Sequence, residues 1–219
     1  LTYLLDTDSI DGSVTIDGNI ATFVPDLDFN GSTSFTYKVT DGELVSSLAT
    51  VEVTVNAVND APVVETISDQ VIDEDGVFTY SLSASDVDGD ELIFEVSIDG
   101  NGSIVVDGSD LTITPDANYN GDITVDVSVT DDEYINSDSF TLTVTAVNDA
   151  PIITSAPSAT TDEDTSVDII LEGSDIDGDM LTYLLDTDSI DGSVTIDGNI
   201  ATFVPDLDFN GSTSFTYKV

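Results

Sequence analysis

Carboxylates recur along this sequence in short clusters whose members stand one or two residues apart. Asn59-Asp60-Ala61-Pro62 is followed by Asp73-Glu74-Asp75 and then by Asp86-Val87-Asp88-Gly89-Asp90. Pro115-Asp116-Ala117-Asn118 and Thr130-Asp131-Asp132-Glu133 complete the series. Like charges at this spacing repel and destabilise the compact state unless cations neutralise them. The donors are carboxylates, Asn side chains and backbone carbonyls, all hard oxygens. Ca²⁺ takes about six to eight such oxygens, whereas Mg²⁺ demands a tight octahedron and keeps its waters. The chemistry on offer is therefore Ca²⁺ binding. Asp86-x-Asp88-Gly89-Asp90 starts like an EF-hand loop, but Ser97 stands where that loop needs a Glu and no flanking helix is predicted, so an EF-hand is rejected. Isolated Asp-Gly pairs such as Asp17-Gly18 and Asp107-Gly108 read as turns only.

The rest of the composition narrows the chemistry. The 219 residues include 45 Asp plus Glu, 2 Lys plus Arg, and no His, Cys or Trp, for a formal charge of −43. No imidazole or thiol is available for acid–base, zinc or redox work. Nucleic acid is excluded as a partner, because binding it depends on Lys and Arg neutralising phosphates. No apolar run reaches the ~18 residues of a membrane span, and no leader-type segment opens the sequence. With 40% hydrophobic residues, the chain nonetheless has the material for a core.

The elements that must position the clusters come in repeats. Val58-Asn59-Asp60-Ala61-Pro62 returns as Val147-Asn148-Asp149-Ala150-Pro151, and Ser85–Asp90 returns as Ser174–Asp179, both 89 residues later. Pro25, Pro115 and Pro205 are spaced by 90, and residues 1–39 are identical to residues 181–219. The expected organisation is the back part of one unit (1–57), a complete unit (58–146) and the front part of a third (147–219). Such a sequence is expected either to be a window on a longer array or to be completed by strand exchange between neighbouring chains.

Within each unit the hydrophobic period is two: Phe78, Tyr80, Leu82; Val125, Val127, Val129; Phe140, Leu142, Val144. Asp-Gly and Asn-Gly pairs, which tolerate positive φ, punctuate the runs. About seven short strands per unit predict a two-sheet sandwich. The fold class is all-β: tandem Ig-like, Greek-key β-sandwiches in a linear array. The aromatic residues at strand positions are read as core.

Taken together, the clusters resemble the cadherin family. Ala84-Ser85-Asp86-Val87-Asp88 is similar to its Ala-x-Asp-x-Asp motif. Tyr37-Lys38-Val39-Thr40-Asp41-Gly42, running through Ala49–Val55 to Asn59-Asp60-Ala61-Pro62, resembles the last strand and linker of a cadherin repeat. The resemblance covers the whole chain and is nearest to the bacterial cadherin-like tandem repeats of giant surface proteins and adhesins. It implies Ca²⁺ at the junctions between repeats. The first junction would use Asp26 and Asp28, Asn59 and Asp60, and Asp86, Asp88 and Asp131. The second would use Glu74, Asp116 and Asn118, Asn148 and Asp149, and Asp175 and Asp177. Glu163, Asp206 and Asp208 would form half of a third site. Asp73 competes with Glu74 for its role, and Asp90 and Asp179 serve either a local ion or the turn. Ala57, Ala61, Ala146 and Ala150 replace ligands of the family's linker, which implies one or two ions per junction rather than three.

The function expected from this resemblance is that of a Ca²⁺-stiffened stalk or filament segment at the cell surface, without enzymatic activity. Its partners would be neighbouring repeats, with like chains or surface glycans beyond them. The alternative is a carbohydrate-binding module, which would need an exposed aromatic patch repeated between units. Lys38 and Lys218 are the only basic residues. They are read as surface residues rather than as isopeptide cross-links, since the complete unit has Ser128 at this position.

Overall fold

The chain is described by a computed structural model covering residues 1–6, 10–186 and 190–219. Among these residues every regular element is a strand. The first repeat contributes β1 (Thr2–Asp6), β2 (Gly12–Asp17), β3 (Ile20–Pro25), β4 (Gly31–Thr40) and β5 (Ala49–Val55). The second contributes β6 (Val63–Val64), β7 (Gln70–Asp73), β8 (Phe78–Ser81), β9 (Ala84–Ser85) and β10 (Ile93–Ile98). It continues with β11 (Gly102–Asp107), β12 (Asp110–Pro115), β13 (Gly121–Thr130) and β14 (Ile135–Thr145). The third holds β15 (Ile152–Ile153), β16 (Val167–Ile170), β17 (Gly173–Ser174), β18 (Leu184–Leu185), β19 (Gly192–Asp197), β20 (Ile200–Pro205) and β21 (Tyr217–Lys218).

Residues 58–146 form the two-sheet sandwich that the period of two predicts. One sheet runs β10-β13-β14-β7 and the other β11-β12-β8, with β6 and β9 as a short separate pair. Along β13, Ile123, Val125, Val127 and Val129 are fully buried, and the residues between them face outward. Opposite them lie Leu111 and Ile113 of β12, paired with Tyr80 and Phe78 of β8. Phe78 and Phe140 meet with ring centroids 5.9 Å apart. Each aliphatic side chain buried here contributes about 1.5–3 kcal/mol relative to exposure.

The identical stretches 1–39 and 181–219 do not fold identically. In the first repeat, residues 31–40 form the ten-residue strand β4, paired with β1 and along seven positions with β5. In the third, the same sequence yields only the two-residue β21, paired with β18. Conversely, β20 is joined on one side by β19 and on the other by β16, burying Ala201, whereas β3 pairs with β2 alone and leaves Ala21 exposed. Gly12 and its twin Gly192 are required where the hairpin starts, because a Cβ at either would stand 2.3 Å from a carbonyl oxygen of Val24 or Val204.

Spatially the described chain divides into two compact units. One comprises Leu1–Gln70, Val77–Thr114 and Ile123–Leu142, the other Val71–Gly76, Pro115–Asp122 and Thr143–Val219. Each unit contains one linker with the carboxylates gathered around it.

Candidate metal centres

In the first unit the Asp86–Asp90 turn is built around one carboxylate. Asp86 Oδ1 accepts the backbone N–H of Asp88 at 2.8 Å, Gly89 at 3.0 Å and Asp90 at 3.4 Å. Gly89 has φ +80°, a conformation that costs glycine nothing and lets the chain curl onto that oxygen. The other oxygen, Asp86 Oδ2, is buried and has no hydrogen-bond partner. Carboxylate oxygens of Asp86, Asp88 and Asp90 lie within 4.8 Å of one another. The linker closes over them: Asp60 N–H donates to Asp88 Oδ2 at 2.8 Å, and Asn59 Nδ2 donates to Asp131 Oδ2 at 2.8 Å. Asp131 Oδ1 in turn accepts from Tyr134 N–H at 2.6 Å and Glu133 N–H at 2.8 Å. The Tyr134 bond above all, helped by the Asn59 amide and Glu133, holds the Asp131 carboxyl below its ordinary range against the opposing effect of burial. The side chain is thus kept charged.

The second unit repeats the design with a different balance. Asp149 N–H donates to Asp177 Oδ2 at 2.7 Å, the counterpart of the Asp60–Asp88 bond. Asp175 Oδ1 takes the N–H groups of Asp177 at 3.0 Å and Asp179 at 3.2 Å. Glu74 is 6% exposed, and its Oε1 accepts the Val147 N–H of the linker at 2.6 Å. Glu74, Asp149 and Asp177 bring oxygens within 4.8 Å of one another. Asp149 Oδ2 is buried without a partner. Its carboxyl is pushed above its ordinary range, first by loss of solvent and then by the charges of Asp177, Asp75, Glu74 and Asp175. Three carboxylates around one orphaned buried oxygen form an electrostatically unfavourable group that a hard cation would relieve.

Asp73 does not share this position, since its Oδ1 accepts the Thr145 hydroxyl at 2.7 Å. Asn118 and Asp208 have positive φ, and their N–H groups donate to Asp75 and Asp164, at 3.1 and 3.0 Å. Asp75 and Asp164 therefore clamp the loops that carry Asp116-x-Asn118 and Asp206-x-Asp208, a role the sequence reading did not assign. Among the described residues, no side-chain hydrogen bond joins Asp26, Asp28, Asp116 or Asn118 to the linker carboxylates, and none belongs to either three-carboxylate group. Asn148 turns its amide back onto the Asp149 carbonyl at 2.9 Å. Glu163, the repeat of Glu74, is exposed. Asn30 was also missed; it lines a surface depression with Asn59, Asp88 and Asp90. Its signal was the Asn-Gly pair recurring at 30, 120 and 210, a dipeptide read from the sequence only as a turn.

The all-oxygen donor set and the two orphaned buried oxygens fit a Ca²⁺-type ion at both groups. A family model described as a cadherin-like domain matches residues 2–56 and 58–145, and one described as a bacterial Ig domain matches residues 148–219. An integrin beta-like protein A of Dictyostelium discoideum is 30% identical over 179 residues, covering 69% of this chain. The chain spans only 9% of that relative's length. Among solved structures, Drosophila N-cadherin EC1-4 matches 95% of this chain and 59% of its own, at 13% identity and a TM-score of 0.43. Human protocadherin-24 EC1-2 matches 68% and 82%, at 15% identity and a TM-score of 0.44. An endo-fucoidan hydrolase of glycoside hydrolase family 107 matches 99% and 36%, at 17% identity and a TM-score of 0.36. Cadherin and bacterial Ig domains are typically extracellular surface domains, and among the described residues no helix is long and apolar enough to cross a membrane. With two family-model matches spanning residues 2–145 apart from Ala57, and with strands stacked as two-sheet sandwiches, the chain belongs to the cadherin-like domain family.

Proposed function

We propose that the chain is a Ca²⁺-stiffened segment of an adhesion-type surface stalk, with an ion held where each linker meets the repeats on either side. The observation that carries this reading is Asp149 Oδ2, buried without a hydrogen-bond partner beside Glu74 and Asp177. An isolated buried carboxylate oxygen costs free energy that a structure retains only if something satisfies it. Bound there, Ca²⁺ would supply the positive charge that lets three carboxylates share one place.

The chain's own residues do the mechanical work. Glu74, on the repeat before the linker, grips Val147 of the linker. Asp177, on the repeat after it, grips Asp149. A linker tied at both ends by carboxylates that also face one another is fixed when their repulsion is neutralised and loosened when it is not. At the first linker the ties come from the repeat that follows it: Asp88 grips Asp60 and Asp131 grips Asn59. Stiffness set linker by linker suits a quasi-one-dimensional array, whose length is adjusted by adding units.

On this reading the protein is not an enzyme, and its partners are the neighbouring repeats and the surfaces that the whole array meets. Small-angle scattering and a thermal melt in EGTA and then in millimolar Ca²⁺ test it. The expected result is a sharper, longer maximum dimension and a higher melting temperature with Ca²⁺. Shape and melting that are both indifferent to Ca²⁺ overturn the proposal.

A further inference from the structure

Ten aspartates in this sequence are followed directly by glycine, and two of them, Asp88 and Asp177, belong to the candidate ion groups. An aspartyl-glycyl pair carries its own nucleophile. The glycine nitrogen attacks the aspartate γ-carbon, and the new C–N bond closes a five-membered succinimide. One carboxyl oxygen leaves as water, taking the nitrogen's proton and one from solvent. A second water then opens the ring at either carbonyl. Opening at the γ-carbon restores aspartate, whereas opening at the main-chain carbonyl leaves isoaspartate, with the chain now running through the former side chain. Glycine favours the attack because it has no Cβ to crowd the nitrogen.

At both positions the surroundings leave room for this reaction and the linker holds it back. Asp88 and Asp177 are exposed, so water reaches them. Gly89 and Gly178 have φ of +80° and +81°, and a Cβ at either would meet nothing within 4 Å. In the closed arrangement, however, the reacting groups are engaged elsewhere. Gly89 N–H donates to Asp86 Oδ1 at 3.0 Å, and Asp88 Oδ2 accepts the Asp60 N–H of the linker at 2.8 Å. Asp177 Oδ2 likewise accepts the Asp149 N–H of its linker at 2.7 Å. Each carboxylate is thus turned toward a linker amide and away from the nitrogen that follows it.

We infer that Asp88 and Asp177 are sites of spontaneous conversion to isoaspartate, protected while an ion and the linker hold their carboxylates and open to modification when the ion is lost. The inference rests on the Ca²⁺ reading above and adds a covalent consequence to it. Isoaspartate lengthens the main chain by one methylene and leaves its free carboxylate directly on Cα, one carbon shorter than before. At position 88 that carboxylate no longer reaches the Asp60 N–H, and the turn wrapped on Asp86 Oδ1 is broken at its centre. A linker that stays metal-free long enough therefore loses its capacity to rebind the ion. Asp17, Asp107 and Asp197, at the ends of β2, β11 and β19, are also followed by glycine but belong to neither ion group, so they serve as internal controls.

The test ages the full chain at neutral pH in EGTA and, in parallel, in millimolar Ca²⁺. Proteolytic peptides are then read by electron-transfer fragmentation, which separates isoaspartate from aspartate at equal mass, and the intact samples are melted with and without Ca²⁺. Isoaspartate at 88 and 177 should accumulate several-fold faster in EGTA than in Ca²⁺, while positions 17, 107 and 197 should convert equally in both. The chain aged in EGTA should lose its Ca²⁺-induced rise in Tm in step with that accumulation. Gly89→Asn with Gly178→Asn keeps a residue that tolerates positive φ but shields the nitrogen, so this variant should retain its Ca²⁺ response through the same ageing. Absence of isoaspartate at 88 and 177 in EGTA overturns the proposal, as does equal accumulation in both buffers. Suppression by Ca²⁺ at 17, 107 and 197 as well overturns it too, since the protection would then be global. In each of these cases a Tm still raised by Ca²⁺ leaves the ion reading standing, whereas a Tm indifferent to Ca²⁺ removes both.

Discussion

Substituting Glu74 in two ways separates its structural role from its proposed role toward an ion. Its Oε1 accepts the Val147 N–H at 2.6 Å from a side chain that is 6% exposed. Glu74→Ala deletes that acceptor, and a hydrogen bond to a charged group is worth about 1.5–3 kcal/mol. For a repeat-sized domain each kcal/mol moves Tm by about 4–8 °C, so the metal-free protein should melt on the order of 10 °C lower. Glu74→Gln keeps a carbonyl oxygen for Val147 and removes one of three clustered charges, so its Tm in EGTA should match or exceed the parent's. Both variants should show the same reduced response to added Ca²⁺, so the gap between them should persist. At about 100 times Kd the ion should stabilise the parent by about 2.7 kcal/mol, and a tenfold loss of affinity removes about 1.4 kcal/mol, half of that gain. Scanning calorimetry in EGTA and at fixed Ca²⁺ reads both quantities. An undiminished Ca²⁺-induced shift in Glu74→Gln would refute Glu74 as a ligand. A Glu74→Gln protein as unstable in EGTA as Glu74→Ala would refute the hydrogen-bond reasoning.

Other perturbations should separate along the same lines. Asp86→Ala with Asp88→Ala should remove the Ca²⁺ response of the first group and leave that of Glu74, Asp149 and Asp177 intact, seen as a lower stoichiometry in calorimetric titration. In EGTA, the raised Asp149 carboxyl binds its proton more tightly folded than unfolded, so its contribution to stability should grow as pH falls through its folded pKa toward the unfolded value of 3.8. Asp131 and Asp41 are lowered, Asp41 first by the Leu44 N–H and then by that of Glu43, so their contributions run the other way and should be lost at still lower pH. With Ca²⁺ present the upper part of that profile should invert, because an ion requires deprotonated ligands; melting curves from pH 7 to 3 check the sign in both buffers. Leu142→Ala, at a fully buried position, should cost about 2–5 kcal/mol without altering Ca²⁺ stoichiometry.

The sandwich was legible because its signal is simple. Val125, Val127 and Val129 alternate with polar residues on a strand flanked by turn dipeptides, and nothing competes with that pattern. Much of the candidate site was legible too, since Asp86-x-Asp88 and Asn59-Asp60 stand at fixed repeat offsets. What the sequence could not convey was which side-chain oxygen goes where. The buried, unpartnered oxygen of Asp149 depends on Glu74 reaching across to the Val147 N–H, a contact between residues 73 positions apart. The clamp from Asp75 to Asn118 is likewise long-range, and Asp75 alone looks like one more member of an acidic run.

The twin stretches 1–39 and 181–219 show why local pattern falls short even where it succeeds. The sequence Gly-Ser-Thr-Ser-Phe-Thr-Tyr-Lys-Val is a strand over its whole length at 31–39, where it pairs with β5, and over two residues at 211–219, where it pairs with β18. Val51, Val53 and Val55 are therefore as much a part of what makes residues 31–39 extended as those residues are. The same logic governs the carboxylates. Asn59 reaches Asp131, whereas its twin Asn148 folds back on its neighbour Asp149. A motif in this array specifies a set of donors, and long-range contacts decide which of them converge. It follows that cutting away the residues after the second linker should abolish the group of Glu74, Asp149 and Asp177, whereas that of Asp86, Asp88 and Asp90, built by one repeat and its own linker, should survive loss of the repeat before it.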